Sequence, residues 1–120
     1  MRTNTRAVID RYFRHLTDRG PWETAFAEDM TFTSHTSPAK TAGGRTAFVA
    51  ATKRFYGSIG TVGVREILVD GDRACAFTRY EIRPPNGSQP FTSDIAEHLR
   101  VENDVIVSFE IHFDSAPYPK

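Results

Sequence analysis

The second half of the chain is a succession of extended segments, and this constrains the fold more than any other feature. From Gly63 onward the stretches VREILVD, RACAFTRYEI, FTSDIAEHLRVE and VIVSFEIHFD are separated by Gly71-Asp72, by PPNGSQ and by a tight Glu-Asn-Asp turn. Gly-Asp and Asn-Gly pairs suit the short turns between antiparallel strands, so these segments predict four strands joined as hairpins. A sheet of this kind buries one face, and the residues before Gly63 have to cover it.

They are patterned to do so. Val8, Ile9, Tyr12, Phe13 and Leu16 recur at the three-and-four spacing of one helix face, which predicts an amphipathic helix over residues 4–18, stopped by Gly20. Pro21 suits the first turn of a short second helix with Trp22, Ala25 and Phe26 on one side. Residues 30–34 alternate as a short strand, and HTSPAKTAGG reads as a loop. Thr46 is placed to cap a third helix that buries Phe48, Ala51 and Phe55 and ends at Gly57. Helices first and a curled antiparallel sheet second make an α+β fold, with the helices packed on one face of the sheet.

Composition narrows the function. A chain of 120 residues has the size of one domain, spanning 1–120. Its 15 basic and 15 acidic side chains cancel, leaving no bulk field to draw nucleic acid or an anionic membrane, so neither is expected as a partner. Cys75 is the only cysteine, with no mate for a disulfide and no second thiol for zinc, which fits a reducing cytoplasm. No apolar run approaches the roughly 20 residues of a membrane span, and the N-terminus lacks the apolar core of a signal peptide. The histidines show no ligand spacing, so no metal site is expected.

The strands carry the candidate chemistry. Val105, Val107, Phe109, Ile111 and Phe113 share one face of the last strand, which reads as the wall of a cavity. In RACAFTRYEI, Cys75, Phe77, Arg79 and Glu81 lie on one side and Ala74, Ala76, Thr78, Tyr80 and Ile82 on the other. With Phe77 joined to the aromatic wall, Arg79 and Glu81 project toward the same cavity. Ser93, Ile95, Glu97 and Leu99 form one set, and one register puts Glu97 there too. An acid in such a place has its pKa raised by desolvation unless Arg79 restores its charge. Protonated, it would donate a hydrogen bond to a developing enolate; ionised, it would act as a base.

The order of elements, with RYF in the first helix, FAEDMTF leading into the first strand, GGRTAFVAATKRFY as the third helix and AEHLRVENDVIVSFEIHFD at the end, resembles the NTF2-like superfamily, specifically its SnoaL-like, ketosteroid-isomerase-like branch. The resemblance implies a cone of N-terminal helices on a strongly curved mixed or antiparallel sheet. It implies a pocket for a small apolar organic molecule, polyketide-like or terpenoid-like, handled by acid-base catalysis without cofactor or metal. Tyr12 matches the phenol that the isomerases aim at a substrate oxyanion, and Glu97 matches their second oxyanion donor. The position of the isomerase base falls on Ser34, with His35 and Thr36 beside it, so His35 would have to turn inward to serve. Phe32, Phe55, Phe77, Phe109 and Phe113 would line the pocket with Ser34. Read against the limonene-epoxide hydrolases, Arg79 and Glu81 match an arginine-acid pair, while the third carboxylate falls on Ile111.

Two other readings stand beside the isomerase, cyclase or dehydratase reading: epoxide opening by Arg79, Glu81 and Glu97, and a binding or scaffold protein without catalysis. Plain structural roles stay open as well. Glu97 as a solvated strand residue, Tyr12 as core, His35 as a loop histidine and Arg79/Glu81 as a strand-end pair would each satisfy the pattern. A homodimer is expected through the outer sheet face, with Ser108, Glu110, His112 and the Ala74-Ala76-Thr78 row in the contact.

Overall fold

A computed structural model describes residues 4–36, 39–85 and 87–118. Helix α1 runs Thr5–Thr17, with the Asn4 side chain accepting the Ala7 N–H as its cap. Val8, Ile9, Tyr12, Phe13 and Leu16 are its buried face, as the spacing predicts. The short helix after Pro21 is a single 3-10 turn, Trp22–Ala25. Strand β1 (Phe26–His35) follows, longer than the alternation of residues 30–34 alone suggests.

The segment read as a loop contains a short edge strand, β2 (Lys40–Gly43), paired antiparallel with β1 from Thr31↔Gly43 to Ser34↔Lys40. A strand so short shows no alternation, which is why its sequence reads as turn; Ser37 and Pro38 lie outside the described residues. Gly44 (φ 93°) then turns the chain from β2 into helix α2 (Arg45–Gly57) and occupies its N-cap, so Thr46 is inside the helix rather than capping it. Helix α2 buries Phe48 and Thr52, whereas Ala51 is exposed.

The hairpin strands are β3 (Ile59–Asp70), β4 (Arg73–Ile82), β5 (Phe91–Glu102) and β6 (Val105–Phe113). Gly71 (φ 62°) turns β3 into β4, and Asn103 and Asp104 (φ 52° and 63°) turn β5 into β6 in the left-handed conformation of a two-residue hairpin. Spatial order is β2-β1-β6-β5-β4-β3, antiparallel throughout except that β1 lies parallel to β6. The sheet is therefore mixed, because β1 enters beside the last strand. Register shifts in β1, in β3 and between β5 and β6 mark the bulges that curl it around the helices.

The core lies between the concave face and α1 and α2. Phe26, Phe48, Phe109 and Tyr12 meet there, with ring centroids 4.8–6.2 Å apart in the pairs they form. Burial in β4 alternates with Ala74, Ala76, Thr78, Tyr80 and Ile82 inside. This reverses the expectation for that strand: Phe77 is 37% exposed and lies on the convex face with Arg79. The reason is packing, since the other set holds more apolar side chains and its alanines let the curled sheet close on the helices.

Candidate active site

Between the concave face and α2 lies a cavity of about 620 Å³. Phe32 and Ser34 reach it from β1, Phe109, Ile111 and Phe113 from β6, and Phe55, Tyr56 and Thr52 from α2. Tyr80 comes from β4, and Ile95 and Glu97 from β5. The exposed lining residues Lys40, Arg54 and Pro85, with half-buried Tyr118, mark the mouth. The Tyr118 ring packs on Phe91 and Phe113.

Glu97 sits at the inner end, 2% exposed. Alternation along β5 puts it in the buried set with Ser93, Ile95, Leu99 and Val101, and its cross-strand neighbours are Ala76 and Ile111. Ala76 leaves room above the carboxyl, and two β4 side chains use it. Thr78 Oγ1 donates to Glu97 Oε2 at 2.7 Å, and the Tyr80 hydroxyl donates to the same oxygen at 2.9 Å. Thr78 has one hydroxyl hydrogen, and its other acceptor, the Ile95 carbonyl, is farther at 3.2 Å. Oε1 accepts no hydrogen bond among the described residues. Desolvation pushes the Glu97 pKa up to about 7, against the opposing pull of the bonds from Thr78 and Tyr80. Desolvation prevails because, among the described residues, no cation pairs with the carboxyl: Arg79 is paired with Asp94 on the other face.

A second pair of hydroxyls, both phenolic, lies near the carboxyl. The Tyr12 and Tyr56 hydroxyls are 2.8 Å apart, and either can be the donor. Tyr56 lines the cavity; Tyr12, fully buried against Phe13, Phe26 and Phe109, stands behind it. Burial, with the nearby Glu97, raises the pKa of Tyr12, Tyr56 and Tyr80, so all three stay protonated donors at neutral pH. Trp22 stacks on Tyr56 at 3.9 Å and fixes its ring.

Other expected site residues lie elsewhere. Arg79 forms a two-pronged pair with Asp94 on the convex face, at 2.7 and 3.2 Å. Glu81 pairs with Arg83 at 2.7 Å, away from the cavity. His35 is also on the convex face: its ring stacks on His112 at 4.3 Å and its Nε2 lies 2.8 Å from Glu110 Oε1. Ser34, one residue earlier, takes the inward position by alternation. An epoxide-opening constellation of Arg79, Glu81 and Glu97 is thus split between two faces of the sheet. Among the described residues no group of three or more His, Cys, Asp or Glu side chains is placed to hold a metal ion.

The profile of the SnoaL-like domain family matches residues 6–109. The chain belongs to this family. Solved structures agree on the fold of this SnoaL-like protein. An NTF2-like protein of unknown function from Burkholderia pseudomallei K96243 superposes with a TM-score of 0.80 at 23% identity, over 96% of this chain and 94% of that one. TerC, co-crystallised with polyporic acid, gives 0.80 at 16% identity over 95% and 94%. A protein of ketosteroid isomerase-like fold from Catenulispora acidiphila DSM 44928, in complex with trimethylamine, gives 0.71 at 22% identity over 87% and 82%. No curated protein matches. The SnoaL-like cone is therefore shared with these structures, as the sequence resemblance implies.

Proposed function

We propose that this SnoaL-like protein moves a proton next to a carbonyl group of a small organic substrate, without a cofactor, using Glu97 as the shuttle. The observation that carries the reading is a carboxyl with a pKa of about 7 at the inner end of a cavity large enough for a ligand. A group poised there exists in both protonation states at neutral pH, the condition for efficient general acid-base catalysis. It is the one carboxyl lining the cavity among the described residues, and the tyrosines beside it remain protonated.

In the proposed step, Glu97 Oε1 takes the proton from the carbon beside the carbonyl. The C–H electron pair becomes the carbon–carbon double bond of an enolate while the carbonyl π pair moves onto oxygen; as the enolate collapses, the new acid returns its proton to another carbon or to a leaving hydroxyl. Tyr80 and Thr78 hold Oε2 throughout and keep Oε1 turned toward the substrate. With Tyr12 as the donor in the hydrogen bond the two phenols share, Tyr56 has its own hydrogen for the developing oxyanion. The role that the resemblance implies for Tyr12 thus passes through Tyr56, and that of the base, which would have needed His35 to turn inward, passes to Glu97. Isomerisation, cyclisation and dehydration share this step.

Proteins of the same fold crystallised with ligands of different chemistry, trimethylamine and polyporic acid, support reading the cone as a binding site. We also propose a homodimer through the convex face and a cytoplasmic location, the latter on the single free cysteine. Among the described residues no helix is long and apolar enough to cross a membrane.

The test is exchange rather than turnover of an unknown substrate. With 2-tetralone as a probe in deuterated buffer, the protein should accelerate α-proton exchange in a saturable way, and Glu97→Gln should lower the catalysed rate roughly 100-fold. Equal exchange by both proteins would remove Glu97 from the chemistry.

A further inference from the structure

The cavity carries charges that the proton transfer does not use. Lys40 on β2 and Arg54 on α2 stand at the mouth, exposed, and neither forms an ion pair among the described residues. Among the described residues lining the cavity, the one acid is Glu97. Glu28 is drawn to Arg45 at 3.7 Å, and the Asp114 carboxyl accepts the Ala116 N–H at 3.0 Å. The carboxyl that does line the cavity, Glu97, is buried at the far end. Two cations at an aperture with an apolar interior behind it form a site that attracts and orients an anion.

We infer that the ligand of this cavity is an amphipathic acid, with an aromatic or alicyclic body among Phe32, Phe55, Phe109 and Phe113 and a carboxylate held at the mouth between Lys40 and Arg54. The inference rests on reading the cavity as a ligand site, and it replaces a purely apolar substrate with a charged-ended one. The reverse orientation is opposed by electrostatics, because a carboxylate set against Glu97 would crowd two acids into an apolar space. In the inferred orientation the substrate carbonyl faces Glu97 and its charge stays in solvent contact. The two sites are coupled: an anion at the mouth favours the protonated form of Glu97, and by linkage the proton favours the anion.

Isothermal titration at pH 6 and low salt with 1-naphthaleneacetate and its neutral isostere 1-naphthaleneacetamide tests this directly. The acid should bind about tenfold tighter than the amide, the sum expected from two partly exposed ion pairs, and the preference should shrink in 0.5 M salt. The double variant Lys40→Gln, Arg54→Gln, altered only at exposed positions, should keep its affinity for the amide and lose the preference. Three results would overturn the inference: no preference for the acid or no binding of either probe by the parent protein, a preference that survives in the double variant, or its loss in Arg19→Gln, which would put the acid in the separate groove between α1 and β3. A Glu97→Gln protein that loses exchange but keeps the acid preference supports both readings; a parent protein with the preference but no exchange sinks proton transfer and leaves the ligand class standing.

Discussion

A glutamate in the middle of a strand is tolerable only if something compensates for its desolvation, and among the described residues Glu97 is compensated by two hydroxyls rather than by a cation. Its pKa is raised from 4.5 to about 7, so the folded protein holds a proton that the unfolded chain releases. Stability is then fully present below the unfolded pKa and declines as pH rises from about 4.5 to 7, by at most about 3 kcal/mol. Chemical denaturation across that range should show the decline in the parent protein and a flatter profile in Glu97→Gln. A decline of the same size in the variant would assign it to other groups. Alternation groups Glu97 with Ser93, Ile95 and Leu99 in the sequence but leaves open which side of the sheet the set faces; burial of the whole set in β5 decides it. The carboxyl's partners were not legible in the same way: Thr78 and Tyr80 become visible only once β4 is in phase, and Tyr56, hidden behind Phe55 at the end of α2, becomes so only when Tyr12 is seen to bond it.

The phase of one strand decides most of the site. Phe77 invites an inward reading of its set in β4, but Ala74, Ala76, Tyr80 and Ile82 together bury more against the helices than Cys75 and Phe77 can, and the strand follows the larger apolar set. Arg79, Glu81 and Phe77 leave the cavity with that choice. Thermal unfolding should separate the two sides: Phe109→Ala, at 2% exposure, should cost about 3–5 kcal/mol, and Phe77→Ala less than about 1 kcal/mol when measured on monomer. Comparable losses would restore the opposite phase. Helix α1 and the hairpin strands were legible because their periodicity extends over many residues; β2 was not, because four residues beside a turn-rich stretch carry no period and are held only by pairing with β1.

At the scale of the whole molecule, the mixed sheet follows from β1 lying parallel to β6, a long-range pairing that no local pattern announces. Its convex face carries Phe77 and, through the Leu68↔Cys75 pairing, Leu68, 53% exposed, beside His35, His98, Glu110 and His112. The Ala74-Ala76-Thr78 row expected at a dimer contact is instead packed inside. The homodimer proposed for this face should sediment at twice the 13.5 kDa chain mass at micromolar concentration and fall to one chain mass in Leu68→Glu, Phe77→Glu. A parent protein that sediments only as monomer would remove the dimer. The cone as a whole buries one carboxyl with two hydroxyl partners, and its effect is measured most directly by a 13C NMR titration of the side-chain carboxyl carbon in glutamate-labelled protein, assigned by the signal missing from Glu97→Gln. A midpoint near pH 7 is the result expected for a proton shuttle at the end of the cavity. A midpoint at or below the ordinary 4.5 would show Glu97 permanently ionised at neutral pH and contradict the account.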